Sequence, residues 1–306
     1  MNSAFLTMDS GGSKTKLALY SIGGDLIRER IAQGFGTAED SENVLSEAIA
    51  VLSDFCKGYC VSPVICNLGG KNKKQMVITL KAAFPDAQIS VFRESEGTIG
   101  LALCEKYSSD VVLMAGTGSI AIAKIGEKAV VCGGWGANIS DKGSGYQLGL
   151  DAIRLALEEL DGTEALSLLT KSLTGISGAP GIMTAEEYCA FRDSVRKALA
   201  PFDRAHIASY SKKVYECALQ GDEKATALYE RTGMDLADIV ISAAQKGAIE
   251  LCGVVVNGGM VNAREFWQSG FEKRLFSIYG KIKIHYLTSG IDDAMCDMAK
   301  RMIKGE

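Results

Sequence analysis

The sequence predicts an α/β protein of two similar lobes, the second enlarged by a helical insert. Three observations predict it. The chain has 306 residues, more than one compact core usually holds and a comfortable length for two. Short apolar runs ending in glycine-rich turns alternate with stretches of helical periodicity, the pattern of strands followed by helices. A strand-turn-strand unit around Gly11 recurs around Thr117, and each copy opens a three-strand meander.

In order, residues 4–8 form an apolar strand that ends in Asp9-Ser10-Gly11-Gly12-Ser13. Residues 14–20 alternate as a second strand, Gly23-Gly24-Asp25 turns the chain, and a third strand starts at Leu26. Helical spacing over 40–57 places Val44, Leu45, Ala48, Leu52 and Phe55 on one face. A buried strand over 63–68 ends at Gly69-Gly70, a helix over 73–84 is stopped by Pro85, and a strand over 89–92 leads into a helix over 96–107. The second copy then begins. Residues 110–114 form its first strand, ending in Ala115-Gly116-Thr117-Gly118-Ser119, and 120–125 and 128–132 follow around a Gly126-Glu127 turn. Matched without gaps, Met8 falls on Met114, Gly12 on Gly118 and Ser13 on Ser119.

Helices are expected over 144–160, 163–172, 184–200, 203–219 and 222–247. A strand over 254–256 ends in Asn257-Gly258-Gly259, and a helix over 263–277, a strand over 281–287 and a helix over 292–303 complete the chain. The expected division is a first lobe over 1–109 and a second over 110–290, with the helical insert at about 160–250. The last helix, 291–306, is expected to pack back on the first lobe.

Composition narrows the function. The net charge is −4, from 33 basic and 37 acidic residues spread along the chain, so no basic face for nucleic acid is expected. The longest apolar runs, 239–244 and 252–256, fall short of the roughly 20 residues of a membrane span, and residues 1–6 lack the blocks of a signal peptide. A cytoplasmic protein is expected. Nine scattered cysteines include no Cys-x-x-Cys, and the two histidines, His206 and His285, are far apart in the chain. A disulfide framework and a histidine zinc site are therefore not expected, and most cysteines read as small buried hydrophobes.

The first turn resembles a Walker loop in having Lys14-Thr15 after glycines, but the Gly-Lys adjacency is missing and the turn leads into a strand. Its chemistry still suits phosphate. Gly11 and Gly12 can turn backbone N–H groups inward as an anion nest, with Ser10, Ser13 and Thr15 adding hydroxyls and Lys14 beside them. Asp9, at a strand end, is placed to hold Mg²⁺ directly or through water. Alone, the same residues describe an ordinary hairpin turn with a surface aspartate. The second turn, Gly116-Thr117-Gly118-Ser119, tips the balance toward a pair of phosphate turns. A third turn, Gly258-Gly259-Met260, follows an apolar strand and suits a nucleoside, since ligands sit at strand carboxyl ends in α/β proteins. It reads equally as a tight strand-to-helix connection.

These three turns resemble the phosphate-1, phosphate-2 and adenosine motifs of the sugar kinase, heat-shock ATPase and actin fold. Within it, Cys132-Gly133-Gly134-Trp135-Gly136 with Ser140-Asp141-Lys142-Gly143-Ser144-Gly145-Tyr146 is similar to the N-acetylglucosamine kinase and BadF/BadG/BcrA/BcrD-type ATPase family. The stretch from Ala205 to Ser209, followed by Gly221-Asp222 and Ala225, fits that family's helical region, so the resemblance covers essentially the whole chain.

The resemblance implies a two-lobed actin-like ATPase (ribonuclease H-like) fold with duplicated βββαβαβα units and MgATP in the cleft between lobes. It implies a carboxylate general base at the end of the strand before the lobe-crossing helix. The family usually has Asp there; this chain has Glu94. Gly134, Trp135 and Asp141 are the implied acceptor-binding residues, and a homodimer is the family's usual assembly. A packing Trp, a helix N-cap at Asp141 and a solvated Lys71-Asn72-Lys73-Lys74 run are the plainer readings of their residues. His206 reads as an ordinary helix residue. Glu96 replaces Glu94 as base if the match slips by two.

Several departures fall on the acceptor side. The family's sugar-binding Asn is not evident in Gly34-Phe35-Gly36-Thr37-Ala38-Glu39, Asp-Glu-Gly-Ser becomes Asp141-Lys142-Gly143-Ser144, and Ile120 stands where a polar residue is often found. Lys142 is thereby a candidate contact for an anionic acceptor, or else an exposed lysine. The leading expectation is an ATP-dependent kinase acting on a hydroxyl of an amino sugar such as N-acetylglucosamine or a related carbohydrate. The alternatives are a BadF-type ATPase without a sugar acceptor, as in dehydratase and reductase activators, and a non-catalytic nucleotide or sugar sensor.

Overall fold

The computed structural model describes residues 2–11, 14–33, 42–69, 72–162, 165–178 and 180–306, the side chains of 33 and 42–46 apart. The predicted Gly12, Ser13 and the 34–39 stretch lie outside these residues, as do Gly70 and Lys71. The chain divides into two compact units. One comprises Met1–Ser109, Lys124–Ala129 and Ser289–Glu306; the other comprises Asp110–Ala123 and Val130–Thr288.

The first unit is built on strands β1 (Asn2–Ser10), β2 (Lys14–Ser21), β3 (Leu26–Gln33), β4 (Tyr59–Leu68) and β5 (Ile89–Arg93), in the order β3-β2-β1-β4-β5. β1 pairs antiparallel with β2 and parallel with β4, and β4 runs parallel to β5. Such a central strand has both faces covered from solvent, and accordingly Ala4 through Met8 are all buried. Helices α1 (Glu42–Phe55) and α2 (Lys73–Ala83) connect the parallel strands. A core of Leu6, Met8, Leu17, Leu52, Val64 and Leu80 joins them to the sheet. A 3-10 turn (Glu94–Glu96) precedes α3 (Thr98–Tyr107). The sequence predicts one continuous helix from residue 96; it is interrupted because Gly97 adopts φ +77°, a left-handed conformation that ends one helix and opens the next.

The second unit repeats the order. Strands β6 (Val111–Ala115), β7 (Ser119–Ile125), β8 (Lys128–Gly133), β9 (Gly253–Asn257) and β10 (Lys283–Leu287) lie as β10-β9-β6-β7-β8, with β9 parallel to both β6 and β10. Among the described residues, where the first unit has one helix after its meander, the second has five: α4 (Gly145–Asp161), α5 (Leu168–Thr174), α6 (Ala185–Leu199), α7 (Arg204–Leu219) and α8 (Glu223–Lys246). α5 starts later than the predicted 163–172. Ser167 caps it by accepting from Thr170 N, while the Ser167 amide and hydroxyl are both held by Glu159 Oε2 at 2.8 and 2.9 Å. Helices α9 (Arg264–Tyr279) and α10 (Gly290–Lys304) complete the chain, with α10 packed on β1, β4 and α3 of the first unit. Among the described residues no helix is long and apolar enough to cross a membrane.

Two glycines set a close contact between α8 and α9. A Cβ on Gly233 of α8 would run into the backbone carbonyl of Trp267 on α9, and one on Gly270 of α9 would stand 2.5 Å from the Glu230 carbonyl. The helices cross backbone to backbone, burying Trp267 and Phe271. All nine cysteines are free; Cys56, Cys66, Cys104, Cys217 and Cys296 are buried and Cys60, Cys189 and Cys252 exposed.

The duplication holds, with a corrected register. Asp9 pairs with Asn67 of parallel β4, as Met114 pairs with Asn257 of parallel β9, so Met114 takes the place of Asp9 and not of Met8. The hairpins close at Ser10↔Thr15 and Ala115↔Ser119, making the second turn one residue shorter. An ungapped match spreads that difference onto the strands.

Candidate active site

In the first unit the site residues gather where β1 and β4 end. Asp9 accepts a hydrogen bond from Asn67 Nδ2 at 2.9 Å. Burial pushes the Asp9 carboxyl above the ordinary aspartate range, with the Asn67 bond working the other way. Asn67 is 3% exposed, and its Oδ1 has no hydrogen-bond partner among the described residues. A carboxylate short of solvent beside an orphaned amide oxygen is a donor set that fits a hard divalent cation.

The turn beyond is tight: Gly11 N donates to Lys14 O at 2.9 Å, and Gly69 N donates to Ser10 O at 2.9 Å. Ser10 and Thr15 do not present their hydroxyls outward. They are buried and share one hydrogen bond of 2.9 Å. Gly11 stands in the turn, but its N–H is taken up by Lys14 O and is not turned inward as an anion donor, and Lys14 is exposed at the start of β2. The Glu94 carboxylate comes to this same corner. A Cβ built on Gly69 would stand 3.6 Å from Gly11 Cα and 3.8 Å from Glu94 Oε2. Glu96 points elsewhere: it is ion-paired to Lys73 at 2.8 Å and accepts from Arg93 N. The Lys73 bond holds the Glu96 carboxyl below the usual range. That pairing favours Glu94 over Glu96 as the carboxylate of the corner.

The second unit assembles the other residues. Gly116 N donates to Gly118 O at 2.9 Å, and the Gly116 and Thr117 carbonyls accept from Gly145 N (2.8 Å) and Tyr146 N (3.2 Å), the first amides of α4. Ser119 Oγ donates to Lys142 O at 2.6 Å, so this hydroxyl braces the next loop. Among the described residues the Thr117 hydroxyl is engaged by no other side chain. Gly258 has φ +126°, and a Cβ there would collide with the Ala115 carbonyl, so glycine brings the Gly258-Gly259-Met260 turn against the end of β6. Met260 is buried, its Sδ 3.6 Å from a Cβ on Gly145, and its carbonyl accepts from Trp267 Nε1 at 2.8 Å.

Gly134 has φ +67° and donates to Ser119 O at 2.9 Å; Ile120 packs beneath it, its Cδ1 2.9 Å from where a Cβ would stand. Trp135 is 71% exposed, immediately before the turn closed by the Gly136–Ser140 bridge. Asp141 is 2% exposed, and the cap of α4 is Ser144, accepting from Gln147 N. Asp141 instead accepts from Arg204 Nη2 at 2.9 Å. Lys142 is paired with Asp238 at 2.7 Å and Asp235 at 3.2 Å. Burial works against its ammonium, but the bonds to Asp238 and Asp235 outweigh it and raise the pKa above the ordinary lysine value. His206 lies in α7 against the Tyr210 hydroxyl, 3.1 Å away.

Sequence reasoning missed Asn67 and Arg204. Asn67 is the penultimate residue of β4, just ahead of Leu68 and Gly69, a strand-end polar residue that a search of all such positions would find. Arg204 is separated from its partner by 63 residues, and no local pattern marks it.

Two mixed sheets of the same strand order, each with a glycine turn at the end of its first strand, define the actin-like ATPase fold. The BadF/BadG/BcrA/BcrD ATPase family model matches residues 6–291. The chain belongs to that family. It is 24% identical over 292 residues to an N-acetylmuramic acid/N-acetylglucosamine kinase of Clostridium acetobutylicum, covering 90% of this chain and 92% of the relative. It is also 24% identical over 260 residues to a glucosamine kinase of Vibrio cholerae, covering 81% and 83%. Among solved structures, a candidate N-acetylglucosamine kinase from Chromobacterium violaceum superposes with a TM-score of 0.66 at 21% identity, covering 96% of this chain and 99% of that one. A ROK-family glucokinase from Streptomyces griseus, in complex with glucose and AMPPNP, gives a TM-score of 0.64 at 13% identity, covering 98% and 100%. At those identities the structures speak for the fold.

Proposed function

We propose that this chain is a cytoplasmic, ATP-dependent carbohydrate kinase that phosphorylates a hydroxyl of an amino sugar such as N-acetylglucosamine. The observation that carries the reading is the Glu94 carboxylate at the corner made by Gly11 and Gly69, beside the first phosphate turn. A base there is close enough to phosphate to take a proton from an attacking hydroxyl. The amino-sugar kinases among the relatives support the acceptor class.

In this reading Gly12, Ser13 and Lys14 receive phosphate oxygens in the first unit, with Gly11, whose N–H holds Lys14 O, and with Ser10 and Thr15 bracing the turn from behind. Thr117 and Gly118 do so in the second, with Gly116, whose N–H holds Gly118 O, and Ser119 bracing, and Gly258, Gly259 and Met260 seat the nucleoside. Asp9 holds Mg²⁺, directly or through water, with Asn67 Oδ1 beside it; when bound, the ion neutralises phosphate charge. Glu94 accepts the hydroxyl proton as the phosphoryl group moves, a reaction in which positioning and charge stabilisation dominate. Gly134, Trp135 and Asp141 meet the acceptor, Trp135 offering a large apolar face and Asp141 a fixed carboxylate. The native assembly is a homodimer.

ADP release across N-acetylglucosamine, glucosamine, N-acetylmannosamine, N-acetylmuramic acid and neutral hexoses tests the reading. At least one amino sugar is expected to raise ADP release well above the sugar-free rate. Equal release with and without every sugar points to an ATPase that uses no sugar acceptor; no release at all points to a sensor.

A further inference from the structure

The second unit holds a cation that the strand-end turns do not explain. Arg204 is the first residue of α7, following the N-cap Asp203. α7 is pressed close to α4, because Gly149 of α4 leaves no room for a Cβ under the Ile207 carbonyl. That approach carries Arg204 to the second phosphate turn. Its Nη2 lies 2.7 Å from where a Cβ on Gly118 would stand, so the guanidinium lies directly over the turn. The same nitrogen donates to Asp141 Oδ2 at 2.9 Å.

The two partners differ in exposure. The Asp141 side chain is 2% exposed and the Arg204 side chain 43%. A buried carboxylate thus fixes one corner of the guanidinium and leaves its other edges open to solvent. The neighbouring cation, Lys142, cannot serve the turn in its place, since Asp235 and Asp238 hold it. Nor does the α4 N-terminus serve it, since its first amides are spent on the Gly116 and Thr117 carbonyls.

We propose that Arg204 is a phosphate ligand. Its guanidinium, anchored by Asp141 and lying over Gly118, donates its remaining N–H groups to an oxygen of the nucleotide phosphate seated on the Gly116–Ser119 turn. The assignment rests on the ATP reading and adds to it a binding residue outside the three glycine turns. An arginine suits the place better than a lysine, because a planar fork bonds the carboxylate and the phosphate at once, whereas an ammonium is a point charge. No proton is transferred; the group binds and orients.

Calorimetric titration of the full chain with AMPPNP in magnesium, ADP and adenosine tests it. The wild type is expected to bind AMPPNP more tightly than adenosine. Loss of a charge-assisted hydrogen bond to phosphate weakens binding about 10- to 100-fold, so Arg204→Gln is expected to lose that much for AMPPNP, with adenosine affinity unchanged. Arg204→Lys, which keeps the charge without the fork, is expected to fall between. A role confined to holding α7 would move AMPPNP and adenosine together and show as a lowered unfolding midpoint. Unchanged AMPPNP affinity, or equal losses for AMPPNP and adenosine, in either variant overturns the assignment. If Arg204→Gln does not fold, Arg204→Lys alone decides by the same comparison. A wild type that binds none of the three sinks the ATP reading and the assignment with it; a wild type that discriminates while the variants do not differ from it sinks the assignment alone.

Discussion

At Glu94 the side chain is one methylene longer than the aspartate the family usually places there. A misplacement of about 1 Å at a reacting group can cost on the order of 100-fold in rate, so a longer arm needs a changed surrounding. Gly69 places no side chain between the Glu94 carboxylate and the first turn. If Glu94 is the base, Glu94→Gln removes the proton acceptor while keeping the shape. It is expected to lower kcat by about 100- to 10,000-fold, with AMPPNP affinity retained in calorimetry. Full activity in this variant would reassign the base and leave the phosphate turns untouched. The same scale shows what could be read in advance. Glu94, the two glycine turns and Asp141 stand in local motifs. The Arg204–Asp141 pair is made by helix packing between residues 63 positions apart, and no local pattern contains it.

Among the elements, α8 and α9 show how glycine decides a packing distance. Gly233 and Gly270 let the two backbones meet, and the buried indole of Trp267 fills the space beside them. Gly233→Ala is favourable to an isolated helix by about 1 kcal/mol, yet here the new methyl meets a backbone carbonyl that cannot move alone. The clash wins, since overpacking costs about 1–3 kcal/mol. The urea midpoint of Gly233→Ala is therefore expected to fall; a rise would mean that the helices can part without loss. From sequence, both glycines look like helix weaknesses, because propensity sees one helix at a time. The strands were easier to read. β6 and β9 are apolar throughout, as strands buried on both faces must be, and each stops at a glycine. Helix starts were legible where a capping residue stood alone, as at Asp203 and Asp222. The start of α5 was not, because Glu159 in the preceding helix fixes Ser167.

For the whole molecule, the repeated order of strands was legible because each unit writes the same sequence of apolar runs and turns. The one-residue difference in turn length was not, since a shorter glycine turn has the same composition as a longer one. Each unit carries its own apolar core. The thiols turn this into a built-in stopwatch. Four buried cysteines, Cys56, Cys66, Cys104 and Cys296, belong to the first unit, and one, Cys217, to the second. Burial pushes the Cys56 thiol up to about 12 and the Cys66 thiol higher still, so both are nearly devoid of thiolate at neutral pH until the chain around them opens. Under a brief pulse of alkylating reagent, Cys60, Cys189 and Cys252 are expected to react at once, and the five buried thiols only at the rate their surroundings unfold. Peptide-resolved mass spectrometry reads the two sets separately. Cys217 modified at a different rate from the first-unit set would show the units opening independently; a common rate would show that they open together.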